Sequence, residues 1–153
     1  MARLAGKRAD GFITVIKPIE YTKNVLFPAI EEGARSSGRT ADDIFKVIEL
    51  DISYDEDYDR AMSSARSLAP TLVPDVFNKP YDDPRELELL GRNVTDKEIT
   101  EAYLVGTSPE DQIKRIENAF ESGFDHVYIW SVSPDEEKFI KMCGQEILPY
   151  FKN

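Results

Sequence analysis

The residue types that do chemistry are thinly spread in this sequence. There is one histidine, His126, and one cysteine, Cys143, so neither a two-histidine metal site nor an internal disulfide can form. No glycine-rich phosphate loop, nucleophile elbow or ligand pair at metal spacing occurs. What remains are polar residues at the ends of expected strands. Thr14 and Lys17 lie at the C-terminal end of the apolar run Phe12–Ile16, the place where barrel and open-sheet enzymes build their sites. Ser131 and Ser133 leave the last expected strand in the same sense. Gly106-Thr107-Ser108 precedes a helix whose free N–H groups suit an anion, although capping accounts for Ser108 equally well. His126 reads as a strand-edge residue bonded to a neighbour, with no supported acid–base role. The trio Asp55-Glu56-Asp57 suits a helix N-terminus, where negative charge meets the positive end of the macrodipole; a metal role comes second.

The elements that must position these residues follow from periodicity. Residues 2–9 read as the last turns of a helix, and 12–16 as an almost wholly apolar strand. From Glu20 to Ser36 the apolar residues Val25, Leu26, Ala29, Ile30 and Ala34 recur at helical spacing, with Gly38 as the stop. Residues 44–52 alternate and are rich in β-branched side chains, predicting a strand, and a helix follows to about Leu68. Pro70, Pro74, Pro80 and Pro84 exclude a continuous helix or central strand from 69–84, and a loop of that length suits a lid or binding role. Short helical pieces over 84–101 lead to a strand at 102–106. A helix opening at Ser108-Pro109 and ended by Gly123, a strand at 126–130 and a helix capped by Ser133-Pro134-Asp135-Glu136 complete the chain. Strand and helix alternate throughout, which gives a parallel sheet with helical crossovers.

The bulk composition narrows the partners. A hydrophobic share of 41% and a charged share of 31% over 153 residues belong to a globular chain with room for one core. A net charge of -10 argues against nucleic acid, whose recognition rests on clustered Lys and Arg. The acidic excess is interleaved with Lys and fits a solvated surface. No apolar run approaches the roughly 20 residues of a membrane helix, and the basic start, Met1 to Asp10, is too short in apolar length for a secretory signal. The cytoplasm is the expected address.

Several segments, in order, carry a resemblance. Leu4 to Ile13, Pro28 to Ala34, Ile48 to Asp55, Asp82-Asp83-Pro84, Gly123 to Val127 and Pro134 to Phe139 resemble the luciferase-like family, in particular its branch of dehydrogenases using coenzyme F-420. They span nearly the whole chain. The resemblance implies an α/β fold: the C-terminal half of a luciferase-like (β/α)8 TIM barrel, as one partial-barrel domain over 1–153 with an irregular insertion at 69–101. A full barrel needs about 250 residues.

The resemblance also implies hydride transfer between an alcohol or sugar-type carbon and the deazaflavin, with coenzyme F-420 as cofactor and FMN as the alternative. Its histidine, tryptophan and glutamate belong to earlier strands, so no catalytic residue is expected here. For substrate binding it points to Lys17, to Thr14, and to Lys79 beside Asn78. An arginine of the sugar-phosphate enzymes falls on Ala102, which removes a bidentate phosphate contact and turns the expectation toward an uncharged substrate. The expected partners are a small-molecule substrate and an N-terminal half-barrel or a second copy of the chain. The competing readings are an FMN-dependent monooxygenase and a non-catalytic, self-associating half-barrel.

Overall fold

A computed structural model describes residues 1–152. Helix α1 (Ala2–Arg8) carries Lys7 and Arg8 in its last turn, against the negative end of its dipole, and leads into β1 (Gly11–Val15). One long helical stretch follows, made of α2 (Ile19–Tyr21), a π turn over Thr22–Leu26 and α3 (Phe27–Arg35). The π turn closes with the Phe27 N–H donating to the Thr22 carbonyl. Its cause is the next residue, since Pro28 has no N–H to continue an i→i−4 ladder and its ring crowds the preceding turn. Gly38, at φ 74°, stops the helix in the left-handed conformation, and the Arg39 N–H donates to the Ala34 carbonyl behind it.

The second strand, β2 (Phe45–Tyr54), is longer than its alternation predicts. Asp57 caps α4 (Tyr58–Arg66), accepting from the Asp59 and Arg60 N–H groups. The proline-rich segment then forms two 3-10 turns, Ala69–Leu72 and Val76–Asn78. Asp83 caps α5 (Pro84–Gly91), and Thr95 with Glu98 makes a reciprocal capping box on α6 (Asp96–Ala102). Because α6 takes Ala102, the strand expected at 102–106 shrinks to β3 (Leu104–Gly106). The remaining elements are α7 (Pro109–Glu121), β4 (His126–Ser131), α8 (Glu136–Met142), a second π turn over Cys143–Ile147 and α9 (Leu148–Tyr150). The second π turn also precedes a proline, Pro149.

β1 pairs parallel with β2, Gly11 opposite Phe45 through Val15 opposite Glu49. The far end of β2 pairs parallel with β3, Ile52 opposite Leu104, and β4 also pairs with β2. Parallel strands joined through helices are what the alternating pattern requires. The fold is mixed α/β around a parallel sheet, the class expected from the sequence.

The chain forms two compact units. The first comprises Met1–Leu50 and Arg115–Ile129. Its interior holds Leu26, Ile30, Ala34, Ile44, Ile48, Leu50, Ile116, Ala119 and Phe124, with the Phe27 ring edge-on to Phe124 at 5.2 Å. α1 lies so close to α3 that a Cβ on Gly6 would fall 2.0 Å from the Ile30 carbonyl oxygen. One on Gly33 would fall 2.0 Å from that of Arg3. The second unit comprises Asp51–Lys114 and residues 130–152. There Met62, Ala65, Ala69, Val94, Ile99 and Tyr103 pack together, with Leu68, Leu72, Val73, Ala102 and Val105 around them. The proline-rich segment thus contributes core through Ala69.

Candidate functional site

In the first unit the pleat sorts β1 and β2 onto two faces. Ile48 and Leu50 are buried, whereas residues of the opposite parity stay in solvent: Ile13 is 57% exposed, Val15 45% and Phe45 52%. The His126 ring lies 6.0 Å from that of Phe45, which places β4 residues of its parity on this open face. Tyr128, two residues on, is 49% exposed. One side of the sheet is therefore an uncovered apolar and aromatic surface, of a kind soluble chains seldom leave in water.

The other side carries a pocket of about 150 Å³. Its floor is Ile48, Leu50, Ala119 and Phe124, and its walls are Ile16, Lys17, Ile19, Thr22, Arg115, Asn118 and Ser122. Lys17 stands two residues beyond β1 in the turn toward α2, exposed. Arg115 and Asn118 come from one stripe of α7, and Ser122 from the turn just past its end. Thr22 is 2% exposed. Ser122 spends its proton on the Asn118 carbonyl, at 2.6 Å.

The second unit gathers polar side chains at the C-terminal end of β2. Ser53 is fully buried and donates to the Ala61 carbonyl at 2.7 Å. Ser133, also buried, accepts from the Tyr54 N–H at 3.0 Å and from the Ser131 hydroxyl at 2.9 Å. Ser133 is thus an internal tie, and the cap of α8 is Asp135, which accepts from the Lys138 N–H. Asp55 is buried, accepts from the Asp57 N–H and has the Arg60 guanidinium 3.5 Å from its other oxygen. A pocket of about 490 Å³ lies here, lined in part by Tyr54, Glu56, Glu137, Lys138 and Lys141. Its cations are paired, Lys138 with Glu56 at 3.2 Å and Lys141 with Glu137 at 3.1 Å. The Glu56 carboxylate raises the Lys138 pKa, and burial, followed by the Glu56 charge, raises that of Tyr54.

The residues singled out from sequence fall in three different settings. Lys17 lines the small pocket of the first unit. Thr14, opposite Ile48 in register, shares that residue's side of the sheet and donates its hydroxyl to the Val15 carbonyl at 3.1 Å. Lys79 is exposed in the second unit, just past the 3-10 turn Val76–Asn78. Of the acidic trio only Asp57 caps α4; Asp55 accepts from the Asp57 N–H and faces Arg60, and Glu56 pairs with Lys138. Arg115 and Asn118 were not foreseen. The signal was a polar stripe running beside the buried stripe Gln112, Ile116 and Ala119, and it acquires meaning only once Lys17 is seen beside it. Among the described residues no cluster of His, Cys, Asp and Glu suits a metal ion, and no helix is long and apolar enough to cross a membrane.

Comparison with known proteins finds relatives over nearly the whole chain. The chain is 32% identical over 150 residues to the F-420-dependent glucose-6-phosphate dehydrogenase of Intrasporangium calvum, matching 97% of this chain and 45% of that protein. Among solved structures it is similar to an F-420-dependent secondary alcohol dehydrogenase in complex with an F-420–acetone adduct. That match has 34% identity and a TM-score of 0.87, over 99% of this chain and 46% of that one. The coenzyme F-420-dependent tetrahydromethanopterin reductase of Methanopyrus kandleri matches at 26% identity and a TM-score of 0.74, over 99% and 48%. The chain therefore spans about half the length of the relatives it matches. The model of the luciferase-like monooxygenase family matches residues 1–126, and the chain belongs to that family.

Proposed function

We propose that this chain supplies the C-terminal part of a coenzyme F-420-dependent oxidoreductase acting on an alcohol or sugar-type substrate, completed by an N-terminal half-barrel. The observation that carries this reading is the likeness, at a TM-score of 0.87 over 99% of the chain, to the secondary alcohol dehydrogenase whose structure holds an F-420–acetone adduct. The residues present fit such a cofactor. The open face of the first unit, with Ile13, Val15, Phe45 and Tyr128 exposed, offers a flat apolar and aromatic surface suited to a planar ring system. Bound there, the deazaflavin would supply the hydride acceptor.

The chain's own part is to bind and orient. Lys17 is the proposed substrate contact, since it stands at the C-terminal end of a parallel strand; Thr14 and Lys79 are proposed beside it, each judged by Ala substitution and substrate saturation. Oxidation of an alcohol carbon also requires its hydroxyl proton to leave as the carbonyl forms, and that acceptor is assigned to the completing segment.

The test is to mix the purified chain with the N-terminal half of a relative and titrate with F-420 and, separately, FMN, following fluorescence and then alcohol-dependent loss of deazaflavin absorbance. Specific F-420 binding with turnover supports the reading. Preference for FMN would replace it with a flavin monooxygenase. A stable homodimer that binds neither cofactor would replace it with a self-associating, non-catalytic module.

A further inference from the structure

The chain has 8 glycines, and all but one have a visible reason in its own structure. Gly38 and Gly123 take the left-handed conformation. A Cβ on Gly6, Gly11, Gly33, Gly91 or Gly106 would meet another atom at 3.1 Å or less. Gly144 has neither reason. It lies in the π turn Cys143–Ile147, its φ is not positive, and no atom stands within 4 Å of where its Cβ would be. Glycine weakens a helical stretch relative to alanine, because it loses more backbone freedom and adds no side chain to pack. Its surroundings are open and apolar. Ile140 and Leu148, four residues to either side, are 66% and 51% exposed, while Phe139, Met142 and Ile147 face the interior. Positions 140, 144 and 148 thus form one ridge along the helical stretch, with a notch at its centre. The chain itself shows what such a notch admits, since α1 and α3 cross backbone against backbone at Gly6 and Gly33.

We infer that the notch at Gly144, between Ile140 and Leu148, is the docking site for a helix of the N-terminal half that completes the protein. This rests on the reading above that such a half exists. The occupant follows from length. The match to the secondary alcohol dehydrogenase takes in 99% of this chain and 46% of that one, so more than half of the relative lies outside the matched part. In a protein of alternating strands and helices, that remainder brings further helices of its own. A helix laid across the ridge covers Ile140 and Leu148 and sets one bulky apolar side chain in the notch, as ridges pack into grooves. Burial of the two exposed side chains drives the association, and the missing Cβ lets the backbones approach. The opposite flank of α8 is already used, because Lys138, Lys141 and Gln145 line the pocket beside Tyr54 and Glu56.

The experiment uses the full chain. The probe is the part of the Intrasporangium calvum F-420-dependent glucose-6-phosphate dehydrogenase that this chain does not match, supplied separately and also joined to the chain in one polypeptide. Gly144→Ala should raise the Tm of the free chain by about 2 °C, since alanine is the better helix former. In the joined protein the same substitution should lower the Tm, and on mixing it should weaken the complex about tenfold, with Gly144→Leu weaker still. Gln145→Ala, on the pocket flank, should leave the affinity unchanged. A glycine kept for docking gives opposite signs in the free and completed protein; a merely tolerated one does not. The reversal supports the inference whether or not the separate parts associate. Its absence overturns the inference, as does a complex that neither Gly144 variant weakens, or a homodimer of the chain that both disrupt, which would make the occupant a second copy. Substrate-dependent F-420 reduction by the joined protein reports on the oxidoreductase reading separately. Reversal without turnover sinks that reading alone, and turnover without reversal sinks the docking alone.

Discussion

Cys143 shows how burial decides a residue's chemistry. Desolvation alone pushes its thiol from an ordinary 9.0 up to about 11, so at pH 8 the thiolate fraction is about a hundredfold lower than that of a free cysteine. Alkylation by iodoacetamide, followed by mass spectrometry, should be slower by that order in the native chain and recover in denaturant. Glu98 illustrates the opposite direction. The Thr95 N–H, and then its hydroxyl, hold the Glu98 carboxyl below its usual 4.5. A depressed carboxylate stabilises the folded chain above its unfolded pKa, and that contribution fades as the pH falls through the folded value. Thr95→Ala should therefore lower the Tm at pH 7, and its difference from wild type should shrink below about pH 4.5 in a melting series.

At the scale of elements, the strictest requirement is the contact of α1 with α3. Only glycine tolerates the approach at positions 6 and 33, since a Cβ at either would sit 2.0 Å from a backbone oxygen of the facing helix. The obstacle is backbone, so the cost is paid by moving a whole helix. Gly33→Ala is expected to destabilise by at least about 3 kcal/mol in urea unfolding; an effect below about 1 kcal/mol would mean that α1 shifts freely. In sequence both glycines sit within helical periodicity and carry no sign of this role. Conformational need was visible at Gly38 and Gly123, which stop their helices at φ 74° and 99°.

Across the whole molecule, the alternation of elements and the identity of the strands were legible because strand and helix periods differ. Boundaries moved where a local bond outweighed the pattern, as when α6 took Ala102 or Ser133 tied down Tyr54 instead of capping α8. The site was legible at Lys17, which strand-end logic finds. Arg115 was not, because its meaning depends on a partner 98 positions away. The open sheet face is likewise invisible in sequence, where Ile13, Phe45 and Tyr128 look like ordinary core. These side chains are roughly half exposed, so they bury only part of the apolar area a core residue does. Phe45→Ser with Tyr128→Ser should cost no more than about 2 kcal/mol together while sharply reducing binding of an apolar dye. A collapse of the fold instead would show that the face is core.

The π turn at Thr22–Leu26 carries a consequence for length variation. A turn closed i→i+5 holds one residue more than an ordinary helical turn, so this helix stores a spare residue. Deleting exposed Asn24 would consume it and restore the common ladder, leaving the stripe of Leu26, Ile30 and Ala34 in place. That repair needs Pro28 gone as well, because the proline is what the wide turn accommodates. The deletion combined with Pro28→Ala should melt close to wild type, and the deletion alone well below it. Chain length at this point is therefore coupled to the identity of a single residue.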